Sequence, residues 1–258
     1  MKPYEVLDAI QRIVYSVRID ERQMDPEPLQ ALWHQLNELQ IHTQLMIGYL
    51  NYQGNDQLAD EFVEVVNESE LIVDLSGWKI DAGDPNQVFI FPKGYLLTAQ
   101  SRARIYTAPR EGELSFDHKR PIWNNNGDVA QLIDPDGEVC SEYRYNGTAE
   151  NSLCISHIHY DGQEFRSEGD EFIELVNISA AVLDLGGWSV LSERNKKQFV
   201  FPEQSIVRPY HSIRVYTNKP DCGPDEFSFD SPTAVWNNHG DCGVLLNRQG
   251  QTVVSYQY

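Results

Sequence analysis

The sequence predicts a mainly β protein in which two tandem β-sandwiches follow an N-terminal α-helical hairpin. Three observations support this fold class. The 258 residues suit one to two domains of roughly 150 residues each. The chain repeats its own motifs at a nearly constant spacing, which indicates an internal duplication. Short runs of β-branched and aromatic residues alternate with turn residues in both repeats, whereas helical periodicity is confined to the first forty residues.

The predicted helical hairpin occupies residues 1–40. Apolar residues recur at helical spacing from Val6 to Val17, and Asp25 followed by Pro26 marks the start of a second helix. Two such short helices cannot bury both apolar faces by themselves. We therefore expect the hairpin to dock on the first sandwich, on a second copy of the chain, or on a partner protein. The candidate partner-binding residues of the second helix are Leu29, Leu32, Trp33 and Leu36.

The duplication is defined by motifs that return in the same order. The offset between the copies is 108 residues at Tyr52 and Gly54, 110 from Asp60 to Thr107, and 113 from Phe116 onward. Small insertions explain each change of offset. The copies predict a first sandwich at residues 41–146 and a second at 152–258, joined by a short polar linker. The repeated motifs are DEFVEVVN and DEFIELVN, VDLSGW and LDLGGW, FIFP and FVFP, RIYT and RVYT, and WNNNGD and WNNHGD.

Turn chemistry separates the predicted strands. Asn126-Gly127 is typical of a type I′ hairpin turn, which needs positive φ at both central residues. The run from Asp134 to Gly137 predicts a turn by mechanism, because proline fixes φ, aspartate caps the backbone and glycine takes the left-handed position.

The duplication also separates structural residues from single functional ones, because a structural residue is expected in both copies. Four tryptophans and two pairs of glutamates pass this test. We interpret the tryptophans as core residues and the glutamates as a solvated or hydrogen-bonded strand face rather than an acid–base pair. These residues are Trp78, Trp123, Trp188, Trp236, Glu61, Glu64, Glu171 and Glu174.

Few residues form a pattern that suggests a metal site. The one candidate is a calcium site in the first copy, formed by Asp128, Asp134 and Asp136, whose oxygens suit a hard cation. His157 and His159 share one face of a predicted strand but have no evident third ligand. The four cysteines lie in no CxxC pair, and we expect free thiols. We predict no cofactor.

The ordered motifs EFVEVVN, VDLSGW, FxFP, RIYT, WNNxGD and a closing DG turn resemble the lamin tail domain, and both copies carry them across about three quarters of the chain. The resemblance implies an immunoglobulin-like sandwich. It implies an interaction module without a catalytic residue. A filament rod is not expected in this sequence, because the N-terminal region lacks the sustained heptads of a coiled coil.

Composition and charge narrow the function classes further. Thirty-nine acidic against 20 basic residues give a net charge of −19, which disfavours free nucleic acid as a partner. No run of about 18 apolar residues predicts a membrane span, and the N-terminus lacks a signal-peptide layout. No phosphate-binding loop, dinucleotide motif or hydrolase triad occurs. We therefore expect a cytoplasmic protein that is not an enzyme.

Three functional hypotheses remain open. The first is a non-enzymatic protein-binding or scaffolding protein that contacts partners through the hairpin and exposed sheet edges, with homo-oligomers formed through the N-terminal helices as one option. The second, by analogy with the domains that accompany such modules, is an accessory subunit of a nucleic-acid-processing or defence system, which would bind a basic partner. The third is a calcium-dependent surface adhesion module.

Overall fold

The computed structural model describes residues 44–53, 57–163 and 168–258, apart from the side chain of Gln57. The predicted hairpin at residues 1–40, with Leu29, Leu32, Trp33 and Leu36, lies outside the described residues. The described part of the chain is mainly β, with twenty strands. In it, no helix is long and apolar enough to cross a membrane.

The first copy contributes ten strands and one short helix. The alternation of buried and exposed side chains along its longer strands fits a sheet with one face on a core. Its elements are β1 (Leu45–Asn51), α1 (Gln57–Asp60), β2 (Phe62–Asn67), β3 (Val73–Asp74), β4 (Lys79–Asp81), β5 (Val88–Ile90), β6 (Leu96–Leu97), β7 (Ser101–Tyr106), β8 (Leu114–Ser115), β9 (Val129–Ile133) and β10 (Val139–Tyr145).

The second copy contributes ten strands in the same order. Two 3₁₀ helices, Asn146–Thr148 and Glu150–Ser152, connect it to the first copy. Its elements are β11 (Leu153–His159), β12 (Phe172–Asn177), β13 (Val182–Asp184), β14 (Ser189–Ser192), β15 (Gln198–Val200), β16 (Ile206–Val207), β17 (Ser212–Tyr216), β18 (Glu226–Ser228), β19 (Cys242–Leu246) and β20 (Thr252–Gln257).

The duplication extends to irregular features of the sheets. β1 pairs antiparallel with β2, and the register shifts between Ile47 and Tyr49. β11 pairs with β12 in the same way, and its register shifts between Ile155 and His157. A bulge at the same place in both copies shows that the repeated sequence determines local distortions as well as strands.

Each copy has a four-stranded sheet of the same topology. The strand order is β1-β2-β7-β8 in the first copy and β11-β12-β17-β18 in the second. In both, the last pair is parallel and the other pairs are antiparallel. The second copy also has a sheet of order β15-β14-β19-β20.

The chain divides into two compact units. One contains the described residues up to Pro121 together with Gln131–Ser141, and the other contains Ile122–Ala130 and Glu142–Tyr258. The second unit includes a pairing that the sequence did not predict. In it, the end of β10 pairs in parallel with β13, which also pairs with β16.

The tryptophans predicted to be core residues are buried. Trp188 and Trp236 are at most 1% exposed and belong to the apolar cluster of the second unit, which also contains Ile173, Leu175 and Leu183. At about 25 cal/mol per Å², burying an indole contributes several kcal/mol. Trp78 and Trp123 are 7% and 3% exposed.

One turn prediction is confirmed and one is wrong. Gly137 has φ +93° and donates its N–H to the carbonyl of Asp134, as the turn chemistry predicts. Asn126 does not have positive φ, and Gly127, at +123°, donates its N–H to the carbonyl of Asn124. This segment is therefore a turn before β9 and not a type I′ hairpin turn. The prediction failed because an asparagine-glycine pair also occurs in turns outside hairpins.

Candidate functional site

The outer face of each four-stranded sheet carries the same four polar and aromatic side chains. Val63 and Ile105 are buried on the inner face of the sheet. Because side chains alternate along a strand, the residues on either side of them lie on the outer face. We call the repeated set the outer quartet. It consists of Phe62, Glu64, Arg104 and Tyr106 in the first copy and of Phe172, Glu174, Arg214 and Tyr216 in the second.

In the first copy the quartet is held together by a salt bridge and by stacking. Glu64 accepts hydrogen bonds at 3.1 Å from both Arg102 and Arg104. The guanidinium of Arg104 also lies 4.0 Å from the ring centroid of Phe62. The Phe62 ring packs edge-on against Tyr106, with centroids 5.8 Å apart. Glu64 is only 4% exposed, which agrees with the hydrogen-bonded strand face that the sequence predicts.

The second copy keeps this arrangement with small changes. Arg214 donates to Glu174 at 2.8 Å and lies 4.5 Å from the ring centroid of Phe172. Ser156 adds a hydrogen bond of 2.8 Å to Glu174. Burial opposes the ionisation of Glu174, but the hydrogen bonds from Arg214 and Ser156 outweigh it, so the pKa of Glu174 lies below its ordinary value.

A second cation stacks on the quartet tyrosine in each copy. Arg110 lies 3.8 Å from the ring centroid of Tyr106, and Lys219 lies 4.2 Å from that of Tyr216. The two cations do not occupy equivalent sequence positions, because they fall in the segment where the offset changes from 110 to 113. The same contact is thus made by residues at different sequence positions.

The two cations differ in what neutralises them. Lys219 forms a salt bridge with Glu226, whose other carboxylate oxygen accepts a hydrogen bond from Tyr216. The hydrogen bond from Lys219 lowers the pKa of Glu226. Within the described residues, Arg110 has no carboxylate partner and donates to the carbonyl of Ala59.

In the first copy these side chains line an open groove of about 390 Å³. Its cationic side chains suit a carboxylate, since a guanidinium can donate two parallel hydrogen bonds to it. The half-buried rings of Phe62 and Tyr106 beside them suit apolar side chains of a peptide. We call it the cation–aromatic groove. Its lining residues are Asn51, Gln53, Asp60, Phe62, Arg104, Tyr106 and Arg110.

Two of the three calcium candidates, Asp134 and Asp128, accept hydrogen bonds from backbone N–H groups on their carboxylates. Asp134 accepts from the backbone N–H groups of Asp136 and Glu138, each at 2.9 Å. Asp128 accepts from the N–H of Val129 at 2.9 Å. Among the described residues, no group of three or more His, Cys, Asp or Glu side chains is placed to hold a metal ion. Calcium binding by Asp128, Asp134 and Asp136 stays a prediction.

The histidines, the buried glutamate and the cysteines that the sequence offered as candidate functional residues make the following contacts. His157 and His159 both lie against Phe172, with ring centroids 6.1 and 5.5 Å from its ring. Glu171 is fully buried and accepts from the backbone N–H groups of Val235 and Trp236 at 3.0 and 3.3 Å. Burial raises its pKa. The four cysteines are free thiols.

Sequence reasoning identified Glu64 and Glu174 but missed the cations and rings around them. The repeated RIYT and RVYT motifs contain Arg104 and Arg214, so the motif was a usable signal. Arg110 and Lys219 carried no such signal, because no alignment of the two copies pairs them.

The fold defines the class of the protein: tandem immunoglobulin-like β-sandwiches. The sequence profile described as Lamin Tail Domain matches residues 42–147 and again residues 146–258. The chain belongs to the lamin tail domain family, as its motifs predicted. No curated protein matches it.

Similarity to solved structures is distant. The exo-chitosanase CsxA of Amycolatopsis orientalis is 12% identical with a TM-score of 0.29, and the match covers 83% of this chain and 26% of that enzyme. The YadV chaperone is 11% identical with a TM-score of 0.22, covering 76% of this chain and 90% of that one. The CupB2 chaperone of Pseudomonas aeruginosa is 9% identical with a TM-score of 0.19 and the same coverages. The chain thus spans about a quarter of the length of CsxA.

Proposed function

We propose that this chain is a non-enzymatic protein-binding or scaffolding protein that works in the cytoplasm. Membership of a non-catalytic domain family supports a binding role. Four free thiols are consistent with a reducing compartment. The observation that carries the proposal is the cation–aromatic groove, in which Arg110 has no carboxylate partner among the described residues.

We propose that the partner is a protein that places one carboxylate against Arg110. The Tyr106 ring holds the guanidinium in position, so little side-chain entropy is lost on binding. Asp60 also lines the groove and disfavours further negative charge. The remaining surface carries most of the net charge of −19, so the partner is expected to be basic outside this anchor.

The test compares two charge reversals at matched places. The full chain, Arg110→Glu and Lys219→Glu are each immobilised and exposed to a native cytoplasmic extract, and retained proteins are quantified by mass spectrometry. We expect Arg110→Glu to retain at least about tenfold less of one partner protein than the wild type does, which corresponds to ~1.4 kcal/mol of binding free energy. Lys219→Glu should retain this partner, because Lys219 already forms a salt bridge with Glu226 and is not expected to bind a partner carboxylate. Equal capture by all three proteins would refute the proposal.

The net charge favours a second candidate function, an accessory subunit bound to a basic nucleic-acid-processing or defence enzyme. Such a complex would depend on charge complementarity over a wide surface rather than on one groove. Raising the salt concentration would then release the partner from all three proteins alike. A partner that resists salt but is lost with Arg110→Glu would favour the first candidate.

A further inference from the structure

The pairing of β10 with β13 in the second compact unit joins two elements from opposite ends of the repeated sequence. Tyr143 lies opposite Val182 and Tyr145 opposite Asp184 in a parallel register. The hydroxyl of Tyr143 donates to Oδ2 of Asp184 at 3.0 Å, while Oδ1 accepts the N–H of Gly186 at 2.8 Å. This contact therefore combines main-chain pairing with one side-chain hydrogen bond.

The first copy has the counterpart of this acceptor edge. β3 is equivalent to β13, and among the described residues it pairs only with β6. Asp74, the counterpart of Asp184, likewise accepts the N–H of Ser76 at 2.9 Å on Oδ1. In the described part of the chain its Oδ2 has no hydrogen-bond partner.

The acceptor edge of the first copy is also apolar and exposed. Ile72, the counterpart of Val182, is 63% exposed, whereas Val182 is 1% exposed. Leu96, which lies on β6 opposite Asp74, is 58% exposed. Covering these side chains would remove apolar surface from water, as the neighbouring strand does at Val182.

The second copy has the counterpart of the donor strand. β20 is equivalent to β10 and is the last strand in the order of its sheet, so one of its edges is open in the described residues. Tyr256 is the counterpart of Tyr143. It is half-buried, and no hydrogen bond of its hydroxyl occurs among the described residues. The donor and the acceptor edge thus both exist a second time in the chain, each without such a strand partner among the described residues.

We propose that β20 of one chain pairs in parallel with β3 of a second copy of the chain. The internal register places Tyr256 opposite Ile72, Gln257 opposite Val73 and Tyr258 opposite Asp74. The hydroxyl of Tyr256 donates to Oδ2 of Asp74, as Tyr143 does to Asp184. The contact joins different surfaces of the two copies, so it repeats head to tail and produces rings or open chains.

This association goes beyond the proposed partner binding and is weak by nature. Inside the chain the linker at 146–152 keeps the donor strand next to its acceptor, whereas two separate chains lack that effective concentration. The net charge of −19 on each copy also repels, so association strengthens as salt screens the charge.

Sedimentation velocity of the full chain over a wide concentration range at moderate salt tests the proposal. We expect reversible growth beyond a dimer, with a sedimentation coefficient that rises with concentration. Ile72→Arg should raise the dissociation constant at least tenfold. Ile178→Arg is the matched control, because Ile178 is 57% exposed but belongs to neither β3 nor β20, and it should associate like the wild type. A chain that stays monomeric throughout, or an Ile72→Arg variant that associates normally, would overturn the proposal.

Register-specific cross-linking tests the geometry separately. Ile72→Cys on one protein and Tyr256→Cys on another, each in a background with the four native cysteines replaced by serine, should form a disulfide when mixed, since paired strands bring the two Cα atoms within bonding range. Ser255→Cys places its side chain on the opposite face and should cross-link far less. Equal cross-linking by Tyr256→Cys and Ser255→Cys would refute the register. Neither experiment involves the cation–aromatic groove, so failure here leaves the partner proposal untouched.

Discussion

Replacing Asn177 by alanine should destabilise the second copy by about 3–5 kcal/mol. The side chain is fully buried at the end of β12. Its Nδ2 donates to the carbonyls of Ala181, Val207 and Arg208 at 2.7, 3.3 and 3.0 Å. Its Oδ1 accepts from both the N–H and the hydroxyl of Ser179. One amide thus connects three segments of backbone.

The magnitude follows from these five hydrogen bonds. A net contribution of about 1 kcal/mol each gives ~5 kcal/mol, and water reaching the partly exposed bonds lowers the loss to ~3 kcal/mol. Asn67 makes the same contacts in the first copy, with carbonyl distances of 2.7, 3.3 and 2.9 Å. Asn67→Ala should therefore cost a similar amount.

Urea unfolding followed by tryptophan fluorescence measures the loss, with each transition fitted separately if the units unfold apart. Asn238→Ala is the control, because that exposed side chain makes only a long contact of 3.4 Å to Asp161. It should change stability by less than about 0.5 kcal/mol. An Asn177→Ala loss below ~1 kcal/mol would show that the network contributes no more than an exposed amide.

Three further predictions concern charge, backbone and thiols. Because burial raises the pKa of Glu171, its contribution to stability is full at low pH and is lost as the pH rises through that raised value. The free energy of unfolding of wild type minus that of Glu171→Gln should therefore fall as the pH increases from the ordinary glutamate value of 4.5 through the raised pKa; a rise would contradict this sign. Gly127→Ala should lower the free energy of unfolding in urea clearly more than Gly137→Ala. Both glycines have positive φ, but a Cβ at Gly127 meets two backbone atoms at 2.8 Å while one at Gly137 meets nothing within 4 Å. Equal losses would show that only backbone strain matters. Alkylation followed by mass spectrometry should modify exposed Cys222 first and Cys140 last, because burial raises the pKa of Cys140 to about 12; early modification of Cys140 would refute this order.

Most of the fold was predictable because the same strand and turn motifs occur in both copies of the repeat. The repeated motifs identified the strands, the family and the buried tryptophans. They also placed Glu64 on a hydrogen-bonded strand face, since alternation along a strand needs no knowledge of its neighbours.

What the sequence did not predict depends on contacts between distant segments. The stacking of Arg104 on Phe62 needs the register of β7 against β2, and the parallel pairing of β10 with β13 needs the path of the chain after Tyr145. The burial of Glu171 depends on backbone N–H groups more than 60 residues away. Periodicity within one strand contains none of this information.

The two proposed surfaces become connected if the chain assembles. Each chain offers one cation–aromatic groove, and a single groove of this size gives weak binding. Head-to-tail pairing through β20 and β3 would repeat the groove along an assembly, and a partner that presents several carboxylates would then bind with an avidity far above the affinity of one site. Ile72→Arg should accordingly weaken capture of a multivalent partner while leaving the affinity for a monovalent carboxylate peptide unchanged, whereas Arg110→Glu should weaken both. If Ile72→Arg weakened both equally, the substitution would be acting on the groove or on folding, and the separation of assembly from binding would be wrong.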